Sequence, residues 1–145
     1  MKFLIASDIH GSAAWCRHLM DALDAEQPDR LLLLGDILYH GPRNDLPEGY
    51  APKEVIAMLN PLASSIIAVR GNCEAEVDQM VLDFPCMADY STLLYGHTHK
   101  KVSEPAPTHE GVWAFNPGSV SIPKDGTHGY GVYENGAVRQ VVMEA

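Results

Sequence analysis

The sequence is poor in basic residues and in cysteine. Lysine and arginine together number 10 against 19 acidic residues, and the formal net charge at pH 7 is −9. Proteins that bind a nucleic-acid duplex or a membrane surface usually present a basic face, so both kinds of partner are disfavoured. The three cysteines, Cys16, Cys73 and Cys86, are scattered and form no CxxC pair. This pattern argues against a disulfide framework and favours a reducing compartment.

Long apolar runs and nucleotide-binding glycine motifs are also missing. No run is long enough to span a bilayer. The apolar run at the N-terminus ends at Asp8, which is too short for a signal-peptide core and typical of a strand. We therefore expect a cytoplasmic protein. No GxGxxG or P-loop pattern follows an apolar run, which disfavours a nucleotide-binding switch. With 145 residues, we expect one domain over 1–145.

Apolar runs and helical stretches alternate in the first half of the chain. Three continuous apolar runs predict strands buried on both faces: Phe3–Ala6, Leu31–Leu34 and Ser65–Val69. Between them, one helix is predicted to start after Ser12 and to end near Pro28, and another to start at Pro52. The alternation predicts parallel strands joined by helical crossovers, and therefore an α/β fold.

After Cys73 the predicted elements become shorter. A short helix between Glu74 and Asp83 precedes an apolar run, Leu93–Tyr95, that predicts another strand. Four further strands are predicted at Val112–Phe115, Val120–Ile122, Tyr130–Tyr133 and Val138–Met143. A turn is expected at 116–118, and Asn135-Gly136 predicts a hairpin between the last two strands.

Side chains that commonly bind metals follow four of the predicted strands. These donors are Asp8, His10, Asp36, Asn72, His97 and His99. In extended backbone, side chains two residues apart face the same way, so His97 and His99 can reach one site. Open α/β sheets place their sites at the carboxyl ends of the strands, where we expect these donors to meet. Carboxylate, imidazole and amide donors together suit Mn²⁺, Fe, Zn²⁺ or Ni²⁺.

Such a donor set is large enough for a two-metal centre in which Asp36 bridges the ions. Two divalent ions roughly 3.5–4 Å apart drive in-line displacement at phosphorus. Two ions, the carboxylates of Asp8 and Asp36 and one hydroxide leave a formal charge of about +1. That charge would attract an anionic ester into an otherwise acidic protein.

The motifs resemble those of the calcineurin-like metallophosphoesterases. The matching motifs are Asp8-x-His10, Gly35-Asp36, Gly71-Asn72 and Gly96-His97-x-His99. The segments 40–44, 70–73 and 115–123 are similar to those of the small bacterial YfcE-type phosphodiesterases. The resemblance implies an α/β sandwich with central β-sheets flanked by helices. It also implies hydrolysis of a small phosphodiester by a metal-bridging hydroxide. The implied cofactors are two divalent ions, Mn²⁺ first, with Ni²⁺, Zn²⁺, Fe or Mg²⁺ as alternatives.

The resemblance also assigns the site residues. It implies that one ion is held by Asp8, His10, Asp36 and His99, and the second by Asp36, Asn72 and His97. The candidate catalytic residues are Asp36, Asn72 and Cys73. Larger relatives carry a histidine that acts as a general acid where this chain has Cys73. Because a neutral thiol is a weaker proton donor than an imidazole, we expect better turnover of esters with activated leaving groups. A structural role for Cys73 is favoured over a nucleophilic one, because nothing nearby in the sequence marks a base for it.

One segment of the family pattern is missing. The family has another Gly-His motif on a strand between its Gly-Asn and Gly-His-x-His motifs, but here only 86–92 separate Pro85 from the run at 93–95. We therefore expect a fold abbreviated by the loss of internal strands, and a weaker second metal site. This departure favours a second hypothesis, a catalytically weak or inactive member of the fold that acts as a binding or scaffold protein. Oligomeric state, resident metal and natural substrate stay open, and a homo-oligomer is compatible with the sequence.

Several polar residues near the motifs have two interpretations. His40 and Asn44 either contact substrate phosphate or lie in a solvated loop. Arg70 either contacts phosphate or pairs with an acid, and we favour pairing. We expect His109 and His128, in turn-rich stretches, to have no role at the metals.

Overall fold

A computed structural model describes residues 1–87, 98–105, 113–135 and 137–144. The strands are β1 Lys2–Ala6, β2 Arg30–Leu33, β3 Ile66–Ala68, β4 Lys101–Pro105, β5 Trp113–Pro117, β6 Gly129–Glu134 and β7 Ala137–Val142. The helices are α1 Ala13–Glu26, α2 Pro52–Leu59 and α3 Glu76–Val81, with a 3-10 helix at Asn60–Ser65. None of the helices in these ranges is long and apolar enough to cross a membrane.

The main sheet has five strands in the order β3-β2-β1-β6-β7. Strand β1 is parallel to β2, with Ile5 opposite Leu32, and β2 is parallel to β3. Strands β6 and β7 extend the other edge in antiparallel pairing. The predicted parallel strands with helical crossovers are confirmed, and the carboxyl ends of β1, β2 and β3 lie at one edge of the sheet. β4 and β5 form a separate antiparallel pair.

Both faces of the main sheet are covered. On one face, Leu4 and Leu33 pack with Leu19 of α1 and Val55 of α2 in the larger core. Because side chains alternate along a strand, Ile5 points to the opposite face, where it packs with Leu34 and Phe115 of β5. The result is the expected mixed α/β architecture with a central sheet between helices and a second, smaller sheet. Among the described strands, β3 lies at one edge of the main sheet, and Ile67 there is half exposed.

The second half of the chain corrects some predicted elements. Val120–Ile122 is not a strand; instead, the N–H of Val120 donates to the carbonyl of Ser7, at 3.0 Å. β5 runs through Pro117, so it occupies part of the predicted turn at 116–118. β4 was not predicted, because Lys101–Pro105 contains one apolar residue and ends in proline. The predicted strand at 93–95 and the residues His97 and His109 lie outside the described ranges.

Candidate metal centre

The loops that follow β1 and β2 are joined by backbone hydrogen bonds. The N–H groups of Asp8, His10 and Gly11 donate to the carbonyls of Gly35, Asp36 and Ile37, at 3.1, 2.8 and 2.8 Å. Ser12 then begins α1, and its side chain accepts a hydrogen bond from the N–H of Trp15. This pairing continues the parallel register of the strands beyond their ends. It therefore fixes Asp8 and His10 against the loop that carries Asp36.

Four of the predicted ligands have left-handed backbone conformations. The φ angles are 59° at Asp8, 49° at His10, 56° at Asp36 and 56° at His99. A left-handed conformation costs roughly 1–2 kcal/mol in an ordinary residue. The cost is less in Asp and His, which are enriched in this region. Strained backbone of this kind clusters at functional sites. The consequence is that the side chains turn away from the strand direction and converge.

The imidazoles of His10 and His99 are oriented by backbone carbonyls. His10 Nδ1 lies 2.7 Å from the carbonyl oxygen of Tyr39, and His99 Nδ1 lies 2.6 Å from that of Ile122. Each Nδ1–H therefore donates, which leaves each Nε2 as a lone-pair donor. The two Nε2 atoms are 3.4 Å apart. That is the separation of about 3.4 Å that two nitrogens have when each is about 2.1 Å from one tetrahedral ion.

The carboxylate of Asp8 lies beside these two rings without hydrogen-bond partners. Its Oδ1 is 3.0 Å from His99 Nε2 and 3.5 Å from His10 Nε2. The residue is fully buried, and neither carboxylate oxygen has a hydrogen-bond partner within the described part of the chain. Burial opposes its charge, but His10 and His99, when protonated at Nε2, outweigh burial and hold the pKa of Asp8 well below its usual range. A bound cation would take the place of those protons, because the buried carboxylate and the two Nε2 lone pairs then face one point.

Asp36 lies on the other side of His10. Its Oδ2 is 3.9 Å from His10 Nε2, and its Oδ1 accepts a hydrogen bond of 2.8 Å from the N–H of Cys73. Asp36 is 3% exposed. Burial would lower the pKa of His10, but the carboxylates of Asp8 and Asp36 and its bond to Tyr39 raise it. Asp36 thus lies between the loop after β1, which carries His10, and the loop after β3, which carries Cys73. This position is the one that a bridging ligand would need.

The loop after β3 carries Asn72 and Cys73 to the same cluster of candidate ligands. One ligand atom each from His10, Asp36 and Cys73 lies within 4.8 Å of the others, as do those of Asp8, His10 and His99. The side-chain amide of Asn72 donates to Cys73 Sγ at 3.1 Å. Burial and then the nearby carboxylates raise the pKa of Cys73 to about 12. The thiol is therefore neutral near pH 7, which disfavours a nucleophilic role.

A cavity of about 410 Å³ opens onto these residues. It is lined by His10, Asp36, Arg43, Asn44, Asn72, Cys73, His99 and Lys124. Of the six predicted ligands, four line the cavity and Asp8 is buried beside them, whereas His97 lies outside the described residues.

The structure distinguishes among the polar residues that had two interpretations. Asn44 lines the cavity, and its side-chain amide donates to the carbonyl of His40. The His40 ring instead packs edge-on against Tyr39 and Tyr50. Arg70 is outside the cavity lining and makes no ion pair with an acid in the described ranges, so the expected pairing is wrong there.

His128 is placed by packing and by one backbone hydrogen bond. Its ring stacks on Trp15, with centroids 3.3 Å apart. Its Nδ1 lies 2.7 Å from the carbonyl oxygen of Val120.

Glu74 is a structural residue of the site that the sequence did not indicate. It is buried, and its two carboxylate oxygens accept hydrogen bonds from the N–H groups of Ile37, at 2.7 Å, and Gly71, at 2.5 Å. It therefore links the loops that carry Asp36 and Asn72. The only signal in the sequence was an acid directly after a strand-end motif, which is too common to be specific.

The segment that follows β5 holds the backbone of Asp8 in place. The hydroxyls of Ser119 and Ser121 both donate to the carbonyl of Asp8, at 3.1 and 3.0 Å. The next residue, Ile122, provides the carbonyl that orients His99. One short segment thus positions ligands from two distant parts of the sequence, which explains why it is a turn-rich loop and not a strand.

We predict that Gly71→Ala weakens metal binding without removing any ligand. A Cβ at position 71 would lie 2.2 Å from Asp36 Oδ1, 2.6 Å from Asp36 N and 2.8 Å from Glu74 Oε2. Asp36 must therefore move, and we expect at least about tenfold weaker Mn²⁺ binding in isothermal titration calorimetry. Gly126→Ala is the control, because its φ of 84° strains the backbone whereas its Cβ meets nothing within 4 Å. Equal affinities in the two variants would contradict the packing explanation.

Comparison with known proteins gives a consistent result. The sequence model of the calcineurin-like phosphoesterases matches residues 1–101. The Escherichia coli K12 protein Phosphodiesterase YfcE is 39% identical over 173 residues, which cover 99% of this chain and 92% of that protein. That stretch is longer than this 145-residue chain, so part of the relative has no counterpart here.

Solved structures extend the comparison to the fold. The structure of YfcE, described as a phosphoesterase from E. coli, matches with a TM-score of 0.88 and 38% identity, covering 99% of this chain and 100% of that one. A metallophosphoesterase from Sphaerobacter thermophilus matches with a TM-score of 0.69 at 20% identity, covering 99% of this chain and 89% of that one. The latter likeness is evidence of a shared fold alone.

Proposed function

Because the chain belongs to the calcineurin-like phosphoesterase family, we propose that it is a metal-dependent phosphodiesterase that hydrolyses a small phosphodiester. The relative named Phosphodiesterase YfcE supports this reaction class, since it matches nearly the whole chain. The family implies divalent metal cofactors. We propose two ions, because two groups of possible ligands share His10. Carboxylate and imidazole donors suit Mn²⁺, Fe, Zn²⁺ or Ni²⁺, and the family resemblance makes Mn²⁺ the first candidate.

The observation that carries this proposal is the buried cluster of Asp8, His10 and His99. Its carboxylate lacks hydrogen-bond partners in the described ranges, and both imidazoles present Nε2 to the same point. Asp8, His10, Asp36 and His99 would hold one ion, and Asp36, Asn72 and His97 the other. When bound, such ions lower the pKa of a water and offset negative charge on phosphoryl oxygens.

The protein's own residues would then orient the reaction. Asp36 holds its position by accepting the Cys73 N–H, and Tyr39 and Ile122 fix the ring planes of His10 and His99. The phosphoryl group would enter from the cavity side, where Asn72 and Cys73 are less buried than Asp36. The neutral Cys73 thiol retains its proton near pH 7 and is a weak acid toward a leaving group. We therefore expect faster turnover of diesters whose leaving groups need no protonation.

Metal stoichiometry and turnover together test the proposal. We expect protein stripped with EDTA to be inactive toward bis(p-nitrophenyl) phosphate, and Mn²⁺ to restore hydrolysis with two ions per chain by mass spectrometry. The abbreviated sequence favours a competing function as a binding or scaffold protein of the same fold. No turnover at saturating Mn²⁺, with one ion or none bound, would support the scaffold function and overturn the proposed enzymatic function.

Size-exclusion chromatography with light scattering would show whether the protein is a homo-oligomer.

Substitution of Cys73 by serine is expected to have little effect. Because burial and neighbouring carboxylates keep the thiol protonated, serine retains a neutral polar group of similar size. We expect kcat/KM for bis(p-nitrophenyl) phosphate to change less than about threefold. A loss of 100-fold or more would mean that sulfur has a chemical role.

A further inference from the structure

The cavity at the metal centre has a buried floor and an exposed mouth. His10, Asp36 and His99 are 1%, 3% and 3% exposed, whereas Arg43 and Lys124 are both exposed. All five line the same cavity of about 410 Å³. That volume is within the range of about 300–1,000 Å³ that holds ligands much larger than one phosphoryl group. There is room for part of the substrate between the floor and the two cations.

Both cations are attached to the metal-binding loops. The backbone N–H of Lys124 donates to the carbonyl of His99 at 2.8 Å, so the residue is anchored beside a ligand. Arg43 lies two residues after Gly41, where a Cβ would be 3.2 Å from Cys73 Sγ. Neither side chain forms an ion pair with an acid of the described ranges. Their charges are therefore available to an anionic ligand.

The geometry points to a second anion-binding position at the mouth of the cavity. We propose that Arg43 and Lys124 bind a non-reacting phosphate or carboxylate of the substrate, while the scissile phosphodiester lies on the floor among the metal ligands. The preferred substrates would then be diesters that carry a second anionic group. This inference rests on the proposed phosphodiesterase function, because the floor must hold the reacting group. Guanidinium and ammonium groups both favour phosphate as a partner.

Two substrates with the same leaving group separate this role from binding of the scissile phosphate. Thymidine 5′-(p-nitrophenyl phosphate) has one anionic group, and its 3′-phosphorylated form has a second. We expect the wild type to show at least about tenfold higher kcat/KM for the 3′-phosphorylated ester. Lys124→Met and Arg43→Met should each reduce that preference about tenfold or more, mainly through KM, and change the singly charged ester less than about threefold. Lys53→Met and Arg30→Met, exposed residues outside this cavity, are the matched controls.

If Arg43→Met and Lys124→Met reduced kcat/KM equally for the two esters, the proposal would be overturned. The two cations would then bind the scissile phosphate. No preference for the second phosphate in the wild type would overturn it as well. Binding gives an answer even without turnover: calorimetry on the Mn²⁺-loaded protein should show thymidine 3′,5′-bisphosphate binding at least about tenfold more tightly than thymidine 5′-monophosphate. If the wild type shows that difference in affinity, Lys124→Met loses it, and neither protein hydrolyses an ester, then the second anion-binding position is confirmed and the phosphodiesterase assignment fails.

Discussion

Asp36→Asn is expected to abolish hydrolysis while leaving the protein folded. The carboxylate of Asp36 lies between His10 and the Cys73 N–H, where it is assigned to both metal ions. An asparagine oxygen can still accept the Cys73 N–H, and its amide can donate toward the His10 Nε2. We therefore expect the metal-free protein to change its free energy of unfolding by less than about 1 kcal/mol. We expect kcat/KM for bis(p-nitrophenyl) phosphate to fall at least about 10³-fold, because the amide carries no charge to hold cations.

The same substitution at a remote site separates a local charge effect from a general one. Asp21 is exposed on α1, outside the cavity lining, so Asp21→Asn should retain full activity. Metal content measured by mass spectrometry should fall in Asp36→Asn and not in Asp21→Asn. Retained turnover in Asp36→Asn would refute the bridging role. Loss of turnover with two ions still bound would show that Asp36 acts on the substrate and not on the ions.

The parallel half of the fold was predictable because its signals are local and strong. Buried strands such as β1 and β2 are continuous apolar runs, and Ser12 and Pro52 mark the helix starts that follow. Parallel strands with crossovers then place all their carboxyl ends at one edge. For this reason the sequence alone predicts that Asp8, His10, Asp36 and Asn72 lie close together.

The parts of the fold and of the site that the sequence did not predict depend on contacts between distant residues. Strand β4 contains charged residues and a proline, and it is a strand because β5 pairs with it. Glu74 binds two backbone N–H groups that only the folded loops bring together. Lys124 reaches the site because its N–H meets the carbonyl of His99, 25 residues earlier in the sequence. No periodicity or motif in one sequence encodes such pairs.

Substitution of His99 should weaken the centre more than substitution of His97. His99 Nε2 lies near both Asp8 Oδ1 and His10 Nε2, so it completes the buried cluster. His97 lies outside the described residues, and its role rests on the family resemblance. The resemblance implies that the second site lacks the family's internal Gly-His ligand, so we expect it to bind its ion weakly. We expect His99→Ala to reduce kcat/KM at least about 100-fold, and His97→Ala to reduce it less.

The backbone at position 99 calls for a second variant. His99 has a φ of 56°, a conformation that alanine adopts at a cost of roughly 1–2 kcal/mol and asparagine more easily. His99→Asn should therefore unfold at a higher temperature than His99→Ala and yet lose a similar amount of activity, because neither side chain replaces the imidazole Nε2. If His99→Asn regained most of the activity, the loss in His99→Ala would come from backbone strain. Equal losses in His97→Ala and His99→Ala would mean that both ions are needed to the same extent, and that the second site is complete without the missing segment.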